Sequence, residues 1–293
     1  MHDLFLAVGF GLITASILAL STVALSLQYG VTNIPNFAHG EMMAVGAYAA
    51  YVVQGWINNL ALEAIAAIAL GAIMGWMMNW AVLQPFTRSH ARPLTLFVLT
   101  IAVSIVVQNL ILLFFGGANV AYVLPNSAPH NIGPLLLTDR DLQIMASAVI
   151  VMLGLHVLLR YTKFGKSQRA VSDSPELARV TGIDSDRIIG LTWLLAGGIA
   201  GFSGFILAAS VGSFSPTVGF QYLLVVFAAA IVGGIGQPYG AMLGALLVGL
   251  ATEVSALYVA SDYKLAVAFG LLILTMLVRP RGIIQTKLRN VVE

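Results

Sequence analysis

Several short motifs place nucleophilic or phosphate-binding residues at spacings that enzymes use, but each motif is incomplete. Ser203 lies in GFSG, a spacing found in intramembrane serine proteases, which also need a histidine in a later helix. No histidine follows Ser203, because the five in the chain are His2, His39, His90, His130 and His156. The segment FGKS at residues 164–167 resembles the end of a phosphate-binding loop, but Arg160 stands where that loop requires glycine.

Other catalytic and metal-binding patterns are missing from the sequence. It contains no HExxH motif, no paired aspartate motif and no cysteine, which excludes disulfides, thiolate metal sites and cysteine nucleophiles. We therefore predict that the chain is not an enzyme, holds no metal or cofactor, and relies on other polypeptides for any nucleotide hydrolysis.

A group of polar residues interrupts an otherwise apolar stretch at residues 29–48. Four of them would be costly facing lipid: Asn33, Asn36, His39 and Glu41. Pro35 lacks an N–H group and disfavours helix at the preceding residue, so a helix should break there. Irregular backbone at membrane depth persists only inside protein or beside a watery cavity. The four polar residues and Gly40 are predicted to line a translocation path or to cap the broken helix.

A second interruption lies at residues 227–245, where glycine and proline divide another apolar stretch. Its members are Gly233, Gly234, Gly236, Pro238 and Gly240. A pair of broken hydrophobic segments, one in each half of a chain, points to a transport site, so Gly233, Gly234 and Gly236 join the predicted path. No residue-level repeat accompanies the two segments.

The composition requires lipid around most of the chain. Hydrophobic residues make up 59% and charged residues 9%, and the mean hydropathy is +0.93, whereas soluble domains carry about 25% charged residues. We predict an all-α polytopic membrane protein with eight or nine transmembrane helices and a single permease domain over residues 1–293. The candidate spans are residues 4–27, 38–56, 61–83, 94–115, 141–160, 188–211, 218–235, 239–259 and 263–279.

Twelve of the fourteen basic residues fall in three segments, which predicts the topology because cytoplasmic loops are enriched in Lys and Arg. The basic residues are Arg88 and Arg92; Arg160, Lys163, Lys166, Arg169, Arg179 and Arg187; and Arg279, Arg281, Lys287 and Arg289. We therefore expect the loop at 161–187 and the tail at 280–293 in the cytoplasm, and the loop at 116–139 outside. Met1 is then outside too, unless a segment near residues 28–56 only dips into the membrane.

Small residues at helical spacing predict close packing of helix backbones. They are Gly71 with Gly75, Gly197 with Gly201, and the run Gly236, Gly240 and Gly244. Among the isolated titratable residues, Glu253 is expected to be hydrogen-bonded in the bundle, and His156 to be structural. Glu63 and Asp262 are expected at the outer surface.

The loop at residues 166–190 predicts a short helix that docks on a partner. Asp173 is the expected N-cap with Glu176 completing a capping box, Pro175 fits the first turn, and Gly182 suits the end. Leu177 and Val180 would share one apolar face with Ile183, and Arg179 would orient the contact. Exposure of such an apolar face to water is unfavourable, so we expect it to dock into a groove on an ATPase. An interfacial helix on the lipid surface is the alternative.

Two of these segments, YGVTNIPNFAHGEMMAVGAY and RAVSDSPELARVTGID, resemble the membrane subunit of branched-chain amino acid ABC importers, the high-affinity leucine/isoleucine/valine permeases. Residues 36–41 resemble that family's Asn-Phe-Ala-His-Gly-Glu segment. The second segment resembles the loop that couples permeases of this superfamily to their ATPases. The resemblance covers nearly the whole chain and implies a multi-pass protein of the prokaryotic cytoplasmic membrane.

The resemblance also implies partners. These are cytoplasmic ATPase subunits, a second homologous permease or a second copy of this chain, an extracytoplasmic substrate-binding protein and the lipid bilayer, but no nucleic acid. Relatives of this family import urea or short amides, which leaves that substrate class open. An ion-coupled carrier, with Glu41 and Glu253 as the only credible coupling carboxylates, and an intramembrane enzyme are the remaining alternatives.

Overall fold

The computed structural model describes residues 2–89, 91–122, 129–132, 135–280 and 282–284, and these form a helical bundle with a few short strands. Twelve α-helices occur in this part of the chain: α1 (His2–Thr32), α2 (His39–Trp56), α3 (Leu60–Met77), α4 (Gln84–Arg88), α5 (Pro93–Phe115), α6 (Asp139–Tyr161), α7 (Lys163–Asp173), α8 (Pro175–Val180), α9 (Ser185–Val211), α10 (Val218–Gly233), α11 (Pro238–Ser255) and α12 (Lys264–Val278).

Irregular helix and strand complete the described elements. A π-helical stretch, Met78–Leu83, joins α3 to α4, and a 3-10 turn, Ser261–Tyr263, precedes α12. The strands are β1 (Val120–Ala121), β2 (Pro129–Ile132), β3 (Leu135–Thr138) and β4 (Ser213–Phe214). They form two antiparallel pairs, β1 with β4 and β2 with β3.

All nine predicted spans coincide with helices, and seven rather than eight or nine have the length and hydropathy expected of a membrane-crossing helix. Seven helical segments of the described chain are long and apolar enough to cross a membrane: Asp3–Thr32, Leu60–Arg88, Pro93–Phe115, Asp139–Tyr161, Ser185–Val211, Pro238–Ser255 and Ser261–Val278. The two others fall short for different reasons. Polar residues at its start reduce the hydropathy of α2, and α10 has only 16 residues.

The close packing of α3 on α9 confirms the prediction from their small residues. A Cβ added to Gly71 would overlap the carbonyl oxygen of Gly197, and one added to Gly201 would overlap that of Ala67. The two helices therefore touch backbone to backbone, and dispersion contacts between them replace contacts with lipid. At the bundle centre α9 also packs on α1 and α2, and most of its residues from Ala196 to Ala209 are buried.

Both predicted helix breaks are present. Helix α1 ends at Thr32, Asn33 follows with a φ of 55° in the left-handed region, and helix resumes at His39. After α10, Gly234 and Gly236 have φ of 108° and 87°, values that favour glycine, and helix resumes at Pro238.

The two ends of the bundle differ in character. At one end two of the cation-rich segments meet, because Arg88 and Arg179 both bind Asp186, at 3.0 and 2.7 Å. At the other end β1 pairs with β4, and the Tyr122 N–H donates to the Gly212 carbonyl at 2.8 Å. The side of the membrane that each loop faces stays a prediction. His90, residues 123–128, 133–134 and 281, and the tail beyond 284 lie outside the described residues.

Candidate translocation and coupling sites

His39 is fully buried at the start of α2 and contacts α1 through both ring nitrogens. Its Nε2 lies 3.1 Å from the Ser21 hydroxyl oxygen and 3.0 Å from the Ser21 carbonyl oxygen. Its Nδ1 lies 3.2 Å from Gln28 Oε1. The residue thus fastens the beginning of α2 to two positions one heptad apart on α1, which fixes the direction in which the chain returns.

Asn36 holds the turn between α1 and α2. Its Nδ2 donates to Gln28 Oε1 at 2.9 Å, and its Oδ1 accepts from the backbone N–H of Ala38 at 3.0 Å. Asn36 and Gln28 are fully buried. Their hydrogen bonds satisfy buried polar groups that would otherwise lack a partner where the helix is interrupted. Asn33, by contrast, is exposed and lies outside this network.

Glu41 is also fully buried, and its contacts are sparser. Ser104 of α5 donates to its Oε1 at 3.1 Å, whereas its Oε2 has no hydrogen-bond partner within the described chain. The next residue back, Gly40, has no room for a side chain, because a Cβ there would overlap the carbonyl oxygen of Gly219 in α10. The first break is therefore enclosed by α1, α5 and α10.

The second break is built from backbone contacts. Gly233 and Gly240 face each other so closely that a Cβ on either would overlap the carbonyl oxygen of the other. The N–H of Gly236 donates to the Ser26 hydroxyl at 3.1 Å, and the N–H of Ile283 donates to the Val232 carbonyl at 3.0 Å. Of the predicted residues, Gly236 thus lies against the last turns of α1, close to the first break.

The predicted coupling segment is two helices, and its capping differs from the prediction. Asp173 is the last residue of α7, and Ser174 is the N-cap of α8, with its hydroxyl accepting from the Leu177 N–H at 3.3 Å. Extended backbone at Ser174 ends α7, and Glu176 is consequently one position too early for a capping box. Pro175 occupies the first turn of α8 as expected.

The end and the face of α8 agree with the sequence. Gly182 has a φ of 86° immediately after the helix, as its predicted role requires. Leu177 and Val180 are 69% and 86% exposed, so the apolar face is unpartnered within the described part of this chain. Arg179, which was expected to orient a partner, is instead paired with Asp186 of the same chain.

A hydrogen bond joins the coupling segment to the membrane helices. The Ser172 hydroxyl in α7 donates to the carbonyl oxygen of Gly30 at 2.6 Å, two residues before the end of α1. Gly30 in turn lies against Gly236 of the second break. One short path of contacts therefore runs from α7 to both breaks.

The isolated titratable residues divide into confirmed and corrected predictions. Glu253 accepts from Thr14 at 3.0 Å and pairs with Lys264 at 2.6 Å, as expected for a residue bonded within the bundle. The expectation that Glu63 lies at the surface is wrong, because it is fully buried beneath Tyr122, whose hydroxyl donates to it. Burial, and then the Glu63 carboxylate, raise the pKa of Tyr122 well above its usual range, which keeps the hydroxyl a donor.

The two remaining isolated titratable residues are Asp262 and His156. Asp262 is exposed at the turn before α12, as predicted. His156 contacts the Tyr239 hydroxyl through Nδ1 at 2.9 Å.

The sequence did not predict the residues that form hydrogen bonds with the polar side chains of the first break. Ser21 and Gln28 in α1 and Ser104 in α5 are the partners of His39, Asn36 and Glu41. The available signal was a pair of polar residues seven positions apart in an apolar span, which places Ser21 and Gln28 on one helix face.

The family model and the similar proteins described here agree on the family of this chain. The family described as branched-chain amino acid transport system / permease component matches residues 7–276. The chain is similar to the high-affinity branched-chain amino acid transport system permease protein LivH of Escherichia coli (strain K12), with 30% identity over 94% of this chain and 93% of the relative. Permease protein BraD of Pseudomonas aeruginosa shows the same identity and coverage. A probable branched-chain amino acid transport permease protein of Methanocaldococcus jannaschii is 28% identical, over 93% of this chain and 90% of the relative.

Proposed function

Because this chain belongs to the family of branched-chain amino acid transport permease components, we propose that it conducts branched-chain or other hydrophobic amino acids through the prokaryotic cytoplasmic membrane. It is a multi-pass permease subunit of an ABC importer. The substrate class is carried from the names of relatives that match at 30% identity over nearly the full chain.

Energy for transport comes, in this proposal, from ATPase subunits that bind α8. The supporting observation is the exposure of Leu177 and Val180 on a short helix that is capped at its start and ion-paired near its end. Ser174 caps its start, and the Arg179–Asp186–Arg88 group fixes its end to α9 and α4. Burying both side chains in a partner groove would contribute about 1.5–3 kcal/mol for each fully buried side chain.

Movement of α8 would reach the translocation path through α7. The Ser172–Gly30 hydrogen bond ties α7 to the end of α1, immediately before the first break and beside the second. A rigid displacement of α7 and α8 would therefore shift both interrupted helices together. Broken helices suit this role because their ends can move without unwinding a continuous hydrogen-bond ladder.

The polar segment has a second role in the same proposal. Asn36, His39 and Glu41 hold the first break through buried hydrogen bonds, and they border the path when it opens. The unpartnered Glu41 Oε2 supports this assignment, because a buried carboxylate oxygen without a partner gains from any conformation that supplies one.

The proposed partners complete the importer. They are the ATPases, a second permease that is either homologous or identical, and an extracytoplasmic binding protein at the strand-bearing end of the bundle. The binding protein would supply most of the substrate specificity. In this assembly the chain itself performs no chemical reaction.

Uptake by the complete system tests the substrate class. Cells that carry the permease with its partner subunits should accumulate radiolabelled leucine against a gradient, and unlabelled isoleucine or valine should compete. Deletion of this permease alone provides the matched control. Accumulation of radiolabelled urea with no leucine uptake would reject the amino-acid proposal and leave an ABC importer of short amides.

A further inference from the structure

A cavity of about 420 Å³ opens between α3 and α9, at the same end of the bundle as α8. Its wall includes Trp76 and Trp80, whose indole rings stack with centroids 5.3 Å apart and planes 4° apart. The two rings are 41% and 57% exposed. The cavity has the size of a small-molecule site, and it adjoins membrane-length helices.

The backbone widens where these tryptophans lie. Residues Met78–Leu83 form a π-helical stretch, a rare conformation that is frequent at functional sites. Asn79, within this stretch, is almost completely buried and lines the cavity beside Gly190 of α9. The irregular turn thus places an amide group at the back of the cavity and leaves the two indoles at its mouth.

The ionised residues of the cavity wall are electrically balanced. They are Arg88, Arg187, Asp184 and Asp186. Arg88 is engaged by Asp186, and one Asp184 oxygen accepts the backbone N–H of Arg187 at 3.0 Å. The Arg187 guanidinium, however, has no ion pair or hydrogen bond within the described part of the chain, so it can bind an incoming anion.

We propose that this cavity binds the headgroup of a zwitterionic, ammonium-bearing phospholipid, of the phosphatidylethanolamine type. Its phosphate contacts Arg187, because guanidinium groups bind phosphate through paired hydrogen bonds. Its ammonium contacts the indole faces and Asp184, because aromatic faces and carboxylates both attract cations. The acyl chains then lie along Trp76, Leu191 and Leu194, which face outward from the spans.

The bilayer is favoured over a protein partner by the direction in which the cavity opens. Trp76 and Leu194 lie within helical segments that cross the membrane, and tryptophan is enriched where such helices meet the headgroup layer. A headgroup in this position would touch the Arg88–Asp186–Arg179 group that fixes α8. The lipid would thereby stabilise the coupling segment from the membrane side.

Fluorescence quenching by brominated lipids tests the proposal directly. The chain has four tryptophans; Trp193 is fully buried, and Trp56→Phe removes the exposed one at the opposite end. The full chain with this change, in non-ionic detergent, is titrated with brominated phosphatidylethanolamine or brominated phosphatidylglycerol. We expect half-maximal quenching at an about 1.5-fold to fivefold lower fraction of phosphatidylethanolamine, the range for contacts between exposed charges.

Three variants locate the headgroup. Asp184→Asn, which removes the carboxylate that contacts the ammonium and keeps an oxygen that can cap α9, should bring the ratio of the two lipids close to unity. Arg187→Gln should weaken quenching by both lipids, because both carry the phosphate, whereas Arg160→Gln, which removes an exposed cation from α6, should leave quenching by both unchanged. Equal quenching by both lipids in the parent chain, or stronger quenching by phosphatidylglycerol, would overturn the proposal. Loss of quenching when the ATPases or a second permease are added would assign the cavity to that protein partner instead.

Discussion

The two helix breaks of this permease lie close together but are stabilised in different ways. The first, at residues 33–38, depends on buried side chains that bond to α1 and α5. The second, at residues 234–237, depends on glycines and on backbone hydrogen bonds to neighbouring segments. The first therefore has chemical groups that can exchange partners during transport, whereas the second can change only by moving backbone. In the proposed importer we therefore expect the first break to contact the moving substrate and the second to undergo mechanical displacement.

The largest effect is expected from a side chain at the second break. Gly233→Val would place a branched side chain against the Gly240 carbonyl, and overpacking of this kind costs about 1–3 kcal/mol or more. We expect a large loss of folded protein, measured as the fraction of monodisperse chain extracted in mild detergent and its Tm. Gly270→Val in α12 is the matched control, because no atom outside its own helix lies near that glycine. Equal stability of the two variants would contradict the packing described for this break.

The next effect concerns function at the first break. Glu41→Ala and His39→Ala should each strongly reduce uptake while the importer still assembles and hydrolyses ATP. Each change leaves buried polar partners unsatisfied, at a cost of about 1–3 kcal/mol. Uptake and ATP hydrolysis are measured on the same reconstituted preparation. Asn109→Ala, which removes an exposed amide from α5, serves as control, and normal transport by the double variant His39→Ala with Glu41→Ala would reject any role for the pair.

A smaller effect is expected at the link between α7 and α1. Ser172→Ala removes the hydrogen bond to the Gly30 carbonyl, a contribution of about 0.5–1.5 kcal/mol. The number of amino acids taken up per ATP hydrolysed should fall, with little change in the amount of assembled importer. Ser167→Ala, on the same helix, removes a hydroxyl that makes no hydrogen bond within the described chain. An unchanged ratio in Ser172→Ala would show that coupling takes another route.

The smallest effect is expected at Asn33, whose backbone lies in the left-handed region. Asn33→Ala should lower stability by about 1 kcal/mol, because alanine lacks the short polar side chain that lets asparagine adopt this conformation, whereas Asn33→Gly should be nearly neutral. The Tm values of both variants check this. A side-chain role for Asn33 in the path would instead make the two variants equally defective in uptake.

The helices and both breaks could be predicted from the sequence because they depend on local composition. Nine apolar stretches became nine helices, and Pro35 and the glycines at 233–236 mark the interruptions. The packing of Gly71 and Gly75 on α9 was also predictable, because small residues at helical spacing allow two helix backbones to approach closely in a membrane.

Long-range partners could not be predicted in the same way. Nothing in the local sequence of Glu63 reveals that Tyr122, 59 residues later, covers it. Nor does the loop reveal that Asp186 binds Arg179 from within the chain, which removes that arginine from partner recognition. The shift of the N-cap from Asp173 to Ser174 has a simpler cause, because both residues can cap, and the extended backbone at Ser174 selects between them.

The docking of α8 on an ATPase is the central claim, and the double variant Leu177→Ser with Val180→Ser tests it most directly. The matched control is Trp56→Ser with Ile57→Ser, a highly exposed apolar pair at the opposite end of the bundle. Co-purification of the ATPase with the folded permease is measured for both. We predict that the α8 variant loses ATPase association and substrate-stimulated hydrolysis while the control keeps them. Parental association, hydrolysis and uptake in the α8 variant would contradict the account and place that helix on the lipid surface.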